Sequence, residues 1–342
     1  MAVSKPYRLE VKVLDASRYK SADPAERKAY AAQLVQGLMQ DGFVKIVNHG
    51  IPRSVIEEAM ATSKRFFSLP DSVKRQIEHV PGPDPQRGWS RVGSESTAKL
   101  FGALKENGEV ITDTDSKEHF DIGPPTDLKF PNRWLYESEV PAMKAFLEDF
   151  YERLHETSMD ILAAMELGLG LSAGTFTDRC DQRASELRLN HYPEVVMEHA
   201  PREVSRVWPH YDLGIITCLF QDSVGGLEIE DRNHADRFET VDPDPASPDE
   251  LILNISETFE RWTNGIFKAG LHKVRLPPAL ERTRQTGKEL VVPERYSIPF
   301  FVKASHETCV GPMDEFISEK RPPMFQPLTA LEYQMQRLAK AY

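Results

Sequence analysis

The segment VKVLDAS near the start alternates apolar and polar positions like a short strand, and the run from Ala22 to about Gln40 then carries apolar residues at helical spacing until Asp41-Gly42 stops it. A strand, FVKIVNHG, follows. Pro52 opens a second helix, IPRSVIEEAMATSKRFFSL, whose buried face is expected to hold Val55, Ile56, Met60, Phe66 and Phe67. From Pro81 to Pro131 no period is sustained, so the spacing predicts an irregular loop region, of a length that is usually functional or disordered. The longest helical pattern runs from about Glu137 to Leu169 and ends at Gly168 and Gly170. After Gly174 the character changes to short strands parted by turn residues: ELRLNHYP, VWPHYDLG, IITCLFQD, GGLEIED, RFETVDP, LILNIS, GIFKAGLHKVRLP and RYSIPFFVKA. That spacing predicts a sandwich or barrel. LTALEYQMQRLAKAY closes the chain as a helix.

Length and composition narrow the class. The 342 residues suit two domains or one large β-containing domain with helical additions, and 40% hydrophobic with 28% charged residues is ordinary for a globular chain. No apolar run reaches the length of a membrane span, and the start MAVSKPYRLEVKVLDA lacks the apolar core of a signal peptide, so a cytoplasmic protein is expected. A net charge of −11 repels phosphate backbones and anionic lipid faces, which argues against nucleic acid and membrane partners. Cys180, Cys218 and Cys309 lie far apart and form no CxxC, so any metal must be held by His and carboxylate.

A mononuclear iron(II) oxygenase site needs two imidazoles and one carboxylate on one face of the metal. His-x-Asp occurs three times, as His119-Phe120-Asp121, His210-Tyr211-Asp212 and His234-Ala235-Asp236, so the motif alone does not choose. Only the second has strands on both sides, where alternate residues point the same way and both ligands aim into a barrel mouth. His234 sits in a polar hairpin tip, and His119 in the irregular region. The distant third ligand is one of His234, His272 and His306. His272, between Leu271 and Val274 after a Thr-Asn-Gly turn, suits an inner strand, whereas His306 sits in a polar stretch.

Arg295 and Ser297 lie two apart on a strand leading into an apolar run. An inward guanidinium is costly to leave unpaired, so it should meet a carboxylate, either of a ligand or of an internal Asp or Glu. Arg188, Asn190 and Tyr192 likewise share one side of LRLNHYP.

With these residues in view, the chain resembles the isopenicillin N synthase-like family of Fe(II) and 2-oxoglutarate-dependent dioxygenases. GFVKIVNHGIP, KRFFSLPDSVK, KEHFDIG, LRLNHYP, PHYDLGIITCLFQDSVGGLEI, WTNGIFKAGLHKV and RYSIPFF carry the likeness, in order, over nearly the whole length. The resemblance implies a mainly β fold with flanking helices: a double-stranded β-helix, a cupin-like jelly-roll, backed by the long helix. An N-terminal α/β region would occupy 1–135 and the backing helix, jelly-roll core and C-terminal helix 136–342. It further implies that His210, Asp212 and His272 hold Fe(II), that Arg295 and Ser297 bind the distal carboxylate of 2-oxoglutarate, and that Asn190 and Tyr192 support that cosubstrate. O2 would be the second cosubstrate. His119 and Asp121 would fall in a structural strand and His49 in a turn.

The implied reaction is hydroxylation, desaturation, ring closure or rearrangement of a small organic molecule, with a secondary-metabolite intermediate as the leading class. Substrate contacts are expected from Arg188, or else Arg188 pairs with Glu186 or Asp121. The loop from Gly88 to Leu104 and the C-terminal helix around Tyr333 and Arg337 would form a movable lid. Departures from the family pattern are Asn254-Ile255-Ser256-Glu257 in place of Asn-Ile-Gly-Asp, Lys268-Ala269 in place of Lys-Ser, His191 in place of the first of paired tyrosines, and the long polar stretch from Pro277 to Glu294. Three other readings stand beside this one: an iron oxidase of the same family that does without 2-oxoglutarate, a ligand-binding pseudoenzyme, and a cupin-like zinc hydrolase, for which no general base is apparent.

Overall fold

The computed structural model describes residues 9–80, 82–101, 113–197, 205–234, 237–277, 280 and 290–340. The N-terminal region gives β1 (Val13–Asp15), helix α1 (Pro24–Asp41), β2 (Phe43–Val47) and helix α2 (Arg53–Phe67). Asp23 caps α1 by accepting from the Ala25 amide at 2.8 Å, Pro24 fits its first turn, and Gly42 ends it at φ 76°, a left-handed conformation that favours glycine. In α2, Ile56, Phe66 and Phe67 are buried while Val55 and Met60 are half-buried.

The stretch expected to be irregular holds β3 (Gly88–Ser90), the short helix α3 (Thr97–Phe101) and β4 (Glu118–Ile122). All five residues of β4 are buried, with His119 and Asp121 turned to the functional side and Phe120 and Ile122 to the apolar back. Its alternation is inverted, polar side inward, so it reads as surface in the sequence.

The long helix, α4 (Met143–Leu169), starts six residues later than the spacing predicts. Pro141 and the left-handed Ala142 (φ 61°) precede it, with the Glu137 carboxylate accepting from the Ala142 amide at 2.6 Å. Beyond it come β5 (Glu186–Tyr192), β6 (Val195–Met197), β7 (Ser205–His210), β8 (Ile216–Gln221), β9 (Leu227–Glu230), β10 (Phe238–Thr240), β11 (Leu251–Ile255), helix α5 (Glu257–Trp262), β12 (His272–Arg275), β13 (Leu290–Val292), β14 (Arg295–Val302) and the C-terminal helix Ala330–Leu338.

One sheet runs β1-β2-β11-β8-β14-β5-β4-β3, a second runs β10-β9-β12-β7, and β13 pairs with β6. This is the jelly-roll, two sheets facing one another without closing into a barrel. Period-two alternation divides the large sheet. Cys218, Phe220, Ile298 and Phe300 face back into the main core, where Tyr151 of α4 meets Phe300 edge-on at 5.1 Å and Phe150 approaches Phe220 at 6.5 Å. Thr217, Leu219, Ser297, Pro299, Asn190 and Arg188 face the other way, into a cavity closed on its far side by Val207 and Val274 of the small sheet. Among the described residues, no helix is long and apolar enough to cross a membrane.

Candidate active site

The cavity, about 120 Å³, lies between the two sheets. His210 ends β7 and His272 begins β12, and the two stand opposite each other in the antiparallel register, with ring centroids 4.2 Å apart. Asp212 lies two residues past the end of β7 rather than on the strand as the alternation argument has it. Its backbone carbonyl accepts from the Glu257 amide at 2.8 Å, which fixes the turn. One donor atom from each of the three residues falls within 4.8 Å of the others, and both Nε2 atoms stand 4.0 Å from Asp212 Oδ1.

The surrounding bonds leave those atoms free. His210 Nδ1 lies 2.8 Å from the Trp208 carbonyl and His272 Nδ1 lies 3.0 Å from that of Gly270. A carbonyl only accepts, so each Nδ1 carries the proton and each Nε2 presents its lone pair to the cavity. Asp212 Oδ2 accepts from Thr217 Oγ1 at 2.7 Å and from Asn254 Nδ2 at 2.8 Å, leaving Oδ1 available. Burial, then the neighbouring His272, pushes His210 down to about 3, so it is a neutral ligand at physiological pH. Burial alone would raise the Asp212 carboxyl, but the two imidazoles and the Asn254 and Thr217 donors hold it below its usual range. Two imidazoles presenting Nε2 and one carboxylate oxygen fit Fe(II) and leave room for exogenous ligands. Sequence reasoning missed Thr217 and Asn254. Asn254 opens the segment whose departures are Ser256 and Glu257, and a lone Asn in LILNIS gives little signal of its task.

Arg295 is 1% exposed at the inner end of the cavity. Its Nε donates to the Gly225 carbonyl at 2.9 Å and one Nη to Gln221 Oε1 at 3.1 Å, both neutral partners, and Nη1 has no partner among the described residues. The turn that carries this carbonyl requires glycine at 226, where a Cβ, at φ 93°, would meet the Arg275 carbonyl at 2.5 Å. Ser297 Oγ accepts from Asn190 Nδ2 at 3.3 Å, and Asn190 Oδ1 is buried without a partner among the described residues. Tyr192 lies beneath the Arg295 guanidinium at 4.8 Å and Arg206 approaches the same ring at 5.8 Å. Arg206, which the sequence did not single out, has a buried Nη1 that likewise lacks a partner there. Burial, then the Arg295 charge, lowers its pKa to about 10. An orphaned guanidinium nitrogen and a serine hydroxyl whose proton is free to donate, gathered at one end, fit a carboxylate of an incoming acid.

Arg188 lines the cavity but is held internally. It donates from Nε to Asp121 Oδ1 at 2.7 Å and from Nη1 to Glu95 Oε2 at 3.1 Å, and also bonds Gln86. Its partners are Asp121 and Glu95, whereas Glu186 instead bonds Arg87, Lys303 and Gln334. Tyr333 and Arg337 do not line the cavity. Both hold Glu257, at 2.6 and 3.2 Å, and the neighbouring Leu338 reaches the cavity wall, as do Leu100 and Phe101 of α3. Residues 102–104 of the expected lid lie outside the described residues.

The remaining histidines lie elsewhere. His119 is fully buried, 3.4 Å from both Lys117 Nζ and Asp121 Oδ2, and burial keeps it neutral. His49 bonds the Asp249 carbonyl at 2.8 Å beside its turn, His234 holds Asp231 at 2.7 Å, and His306 packs on Phe130. Asp236 and most of 277–294 are outside the described residues. His191 turns to the back of the sheet, bonding Glu118 at 2.8 Å and stacking on Tyr296.

Comparison with known proteins defines the class. Residues 11–137 match the model for the non-haem dioxygenase in morphine synthesis N-terminal region, and residues 184–304 match the 2OG-Fe(II) oxygenase superfamily. The chain belongs to the Fe(II)/2-oxoglutarate-dependent dioxygenases. It is 44% identical to the 2-oxoglutarate-dependent dioxygenase phqC of Penicillium fellutanum, covering 96% of this chain and 94% of that one. With imqE of Aspergillus flavus it shares 41% identity, over 97% and 95%. The crystal structure of a full-length Neurospora crassa protein in complex with alpha-KG superposes with a TM-score of 0.84 at 27% identity, covering 98% of both chains. The present protein is therefore an enzyme that uses Fe(II), with 2-oxoglutarate and O2 as cosubstrates.

Proposed function

We propose that His210, Asp212 and His272 hold the iron, that Arg295 and Ser297 bind the distal carboxylate of 2-oxoglutarate, and that Asn190 and Tyr192 support the cosubstrate between them. The observation that carries this reading is the shared cavity: three free donor atoms at its middle and one guanidinium nitrogen without a partner at its inner end. When bound, the iron with its two cosubstrates supplies oxidation of a C–H bond coupled to decarboxylation of 2-oxoglutarate to succinate and CO2. The protein's share is positional. Trp208 and Gly270 fix the two imidazole tautomers, Thr217 and Asn254 aim the carboxylate, and Arg295 sets the direction in which the acid enters. The apolar wall from Leu100, Phe101, Leu213, Phe301 and Leu338 keeps water from the outer part of the cavity.

The substrate is a small organic molecule of secondary metabolism, and the enzyme is cytosolic. Fungal relatives support the substrate class, including the 36% identical proline hydroxylase buaE of Petromyces alliaceus, as does the Neurospora crassa protein, which has also been solved with thymine. Arg188 shapes the substrate end of the cavity through its ties to Asp121 and Glu95. Tyr333 and Arg337 act at one remove, clamping the C-terminal helix to Glu257 so that Leu338 closes the pocket, with α3 as the other half of the lid.

Purified protein given Fe(II), 2-oxoglutarate and air should release succinate, with stimulation by a true substrate. His210→Ala or His272→Ala should abolish release while leaving the thermal transition in place, because each removes a ligand and little core volume. Succinate at the wild-type rate in either variant contradicts the triad.

A further inference from the structure

The two ends of the cavity differ in charge balance. Among the described residues, four cations line it: Lys117, Arg188, Arg295 and Lys303. Three are matched by carboxylates. Lys117 stands 2.5 Å from Glu95, Arg188 stands 2.7 Å from Asp121 and 3.1 Å from Glu95, and Lys303 pairs with Glu186. Of the four, Arg295 alone has only neutral partners among the described residues. Burial would raise the Glu95 carboxyl, but Arg188 and Lys117 hold it well below its usual range, so the matching charge is present at neutral pH.

Register explains the segregation. Along the cavity face of the large sheet, Tyr192 pairs with Arg295, then Asn190 with Ser297, and two residues further Arg188 stands opposite Asp121 on β4. Glu95 and Lys117 come from the flanking segments and close on Arg188. Beside this polar wall stand Leu100, Phe101, Leu213, Phe301 and Leu338. With Fe(II), Asp212, dianionic 2-oxoglutarate and Arg295 in place, those four charges also cancel. None of these four cations is then left to receive a second anion, and a carboxylate pushed toward the outer end would face Glu95.

Resting on the iron and cosubstrate assignments above, we propose that the outer end of this cavity is a subsite for a neutral, largely apolar molecule carrying an amide or similar hydrogen-bonding group. Gln86, Glu95 and Lys117 orient that group, and the subsite rejects carboxylic acids. Glu95 is the residue that sets this discrimination. Its carboxylate, together with Asp121 and the Asp115 carboxylate 3.8 Å from Lys117, offsets the positive charge of Lys117 and Arg188. The same imbalance orients 2-oxoglutarate, which finds an uncompensated guanidinium at one end only.

The test uses matched probes on full-length protein loaded with Zn(II) and 2-oxoglutarate, read by ligand-observed saturation-transfer NMR. The pairs are 3-phenylpropanamide against 3-phenylpropanoate and N-acetylphenylalanine methylamide against N-acetylphenylalanine. Wild-type protein should bind each amide at least about tenfold more tightly than its acid, and Glu95→Gln, which removes one negative charge from beside Lys117 and Arg188, should shift that ratio toward the acid by about tenfold. Equal or tighter binding of the acids by wild-type protein overturns the proposal without any variant. An unchanged ratio in a folded Glu95→Gln protein removes Glu95 from the role. Failure of the protein to take up one metal ion and 2-oxoglutarate, measured first, would instead overturn the underlying site assignment.

Discussion

Asp212 is tied twice through Oδ2, to Thr217 and to Asn254, and its remaining oxygen is the one offered to iron. Partners of this kind hold a ligand in its productive rotamer, and their loss costs about 10–100-fold in metal affinity. Asn254→Ala should therefore weaken Fe(II) binding by about that factor with all three ligands intact, as read by anaerobic metal titration. Unchanged affinity would make Asn254 a packing residue. Arg295→Ala should weaken 2-oxoglutarate by about 2–5 kcal/mol, because a buried charge-assisted pair is lost, while iron uptake persists. The cosubstrate dependence of succinate formation reads this out, and an unshifted dependence contradicts the pairing. The residue types of the ligands were legible because metal chemistry restricts them to His and carboxylate at characteristic places. Thr217, Asn254, Gln221 and Arg206 were not, since a polar residue inside an apolar strand gives no sign of which partner it meets.

At the scale of elements, the strands after Gly174 were readable because apolar runs and Gly or Pro turns mark them, but β4 was hidden by its inward polar face. That face carries Asp121 beside Arg188, and β5 adds Glu186, held by Lys303, Arg87 and Gln334. Burial opposes ionisation of Glu186, yet Lys303 and Arg87 lower it from 4.5 to about 2. A carboxylate with a depressed folded-state pKa stabilises the fold above its unfolded value, and that stabilisation is lost as pH falls from about 4.5 toward 2. Glu186→Gln should therefore lower Tm at pH 7 and flatten the decline of Tm across that acid window. A parallel decline in both proteins would deny the linkage. The C-terminal helix hangs on Glu257 through Tyr333 and Arg337. Glu257→Gln should raise amide hydrogen exchange across 330–338 and raise KM for the organic substrate, with little change in the 2-oxoglutarate dependence. Undiminished protection of the helix would remove the clamp.

For the whole molecule, the expected regions 1–135 and 136–342 meet in one sheet. The strands β11, β8, β14 and β5 form its middle, β1 and β2 extend it on one side, and β4 and β3 on the other. We propose that the two regions are one folding unit. A 136–342 fragment would expose the apolar edge of β11, Leu251 to Leu253, and the free edge of β5, so it should aggregate rather than unfold cooperatively. A soluble fragment with a cooperative thermal transition would separate the regions. The seven ordered motifs made this architecture legible at the level of family, whereas the flanking of the core by N-terminal strands on both sides depends on long-range pairing that no local pattern carries. The central claim is that one cavity holds iron on His210, Asp212 and His272 with 2-oxoglutarate anchored on Arg295. An anaerobic crystal structure of the full chain with Fe(II) and 2-oxoglutarate tests it most directly. Iron density is expected bonded to the two Nε2 atoms and to Asp212 Oδ1, with the distal carboxylate on Arg295 and Ser297. Iron on His119 and Asp121, or 2-oxoglutarate away from Arg295, would contradict it.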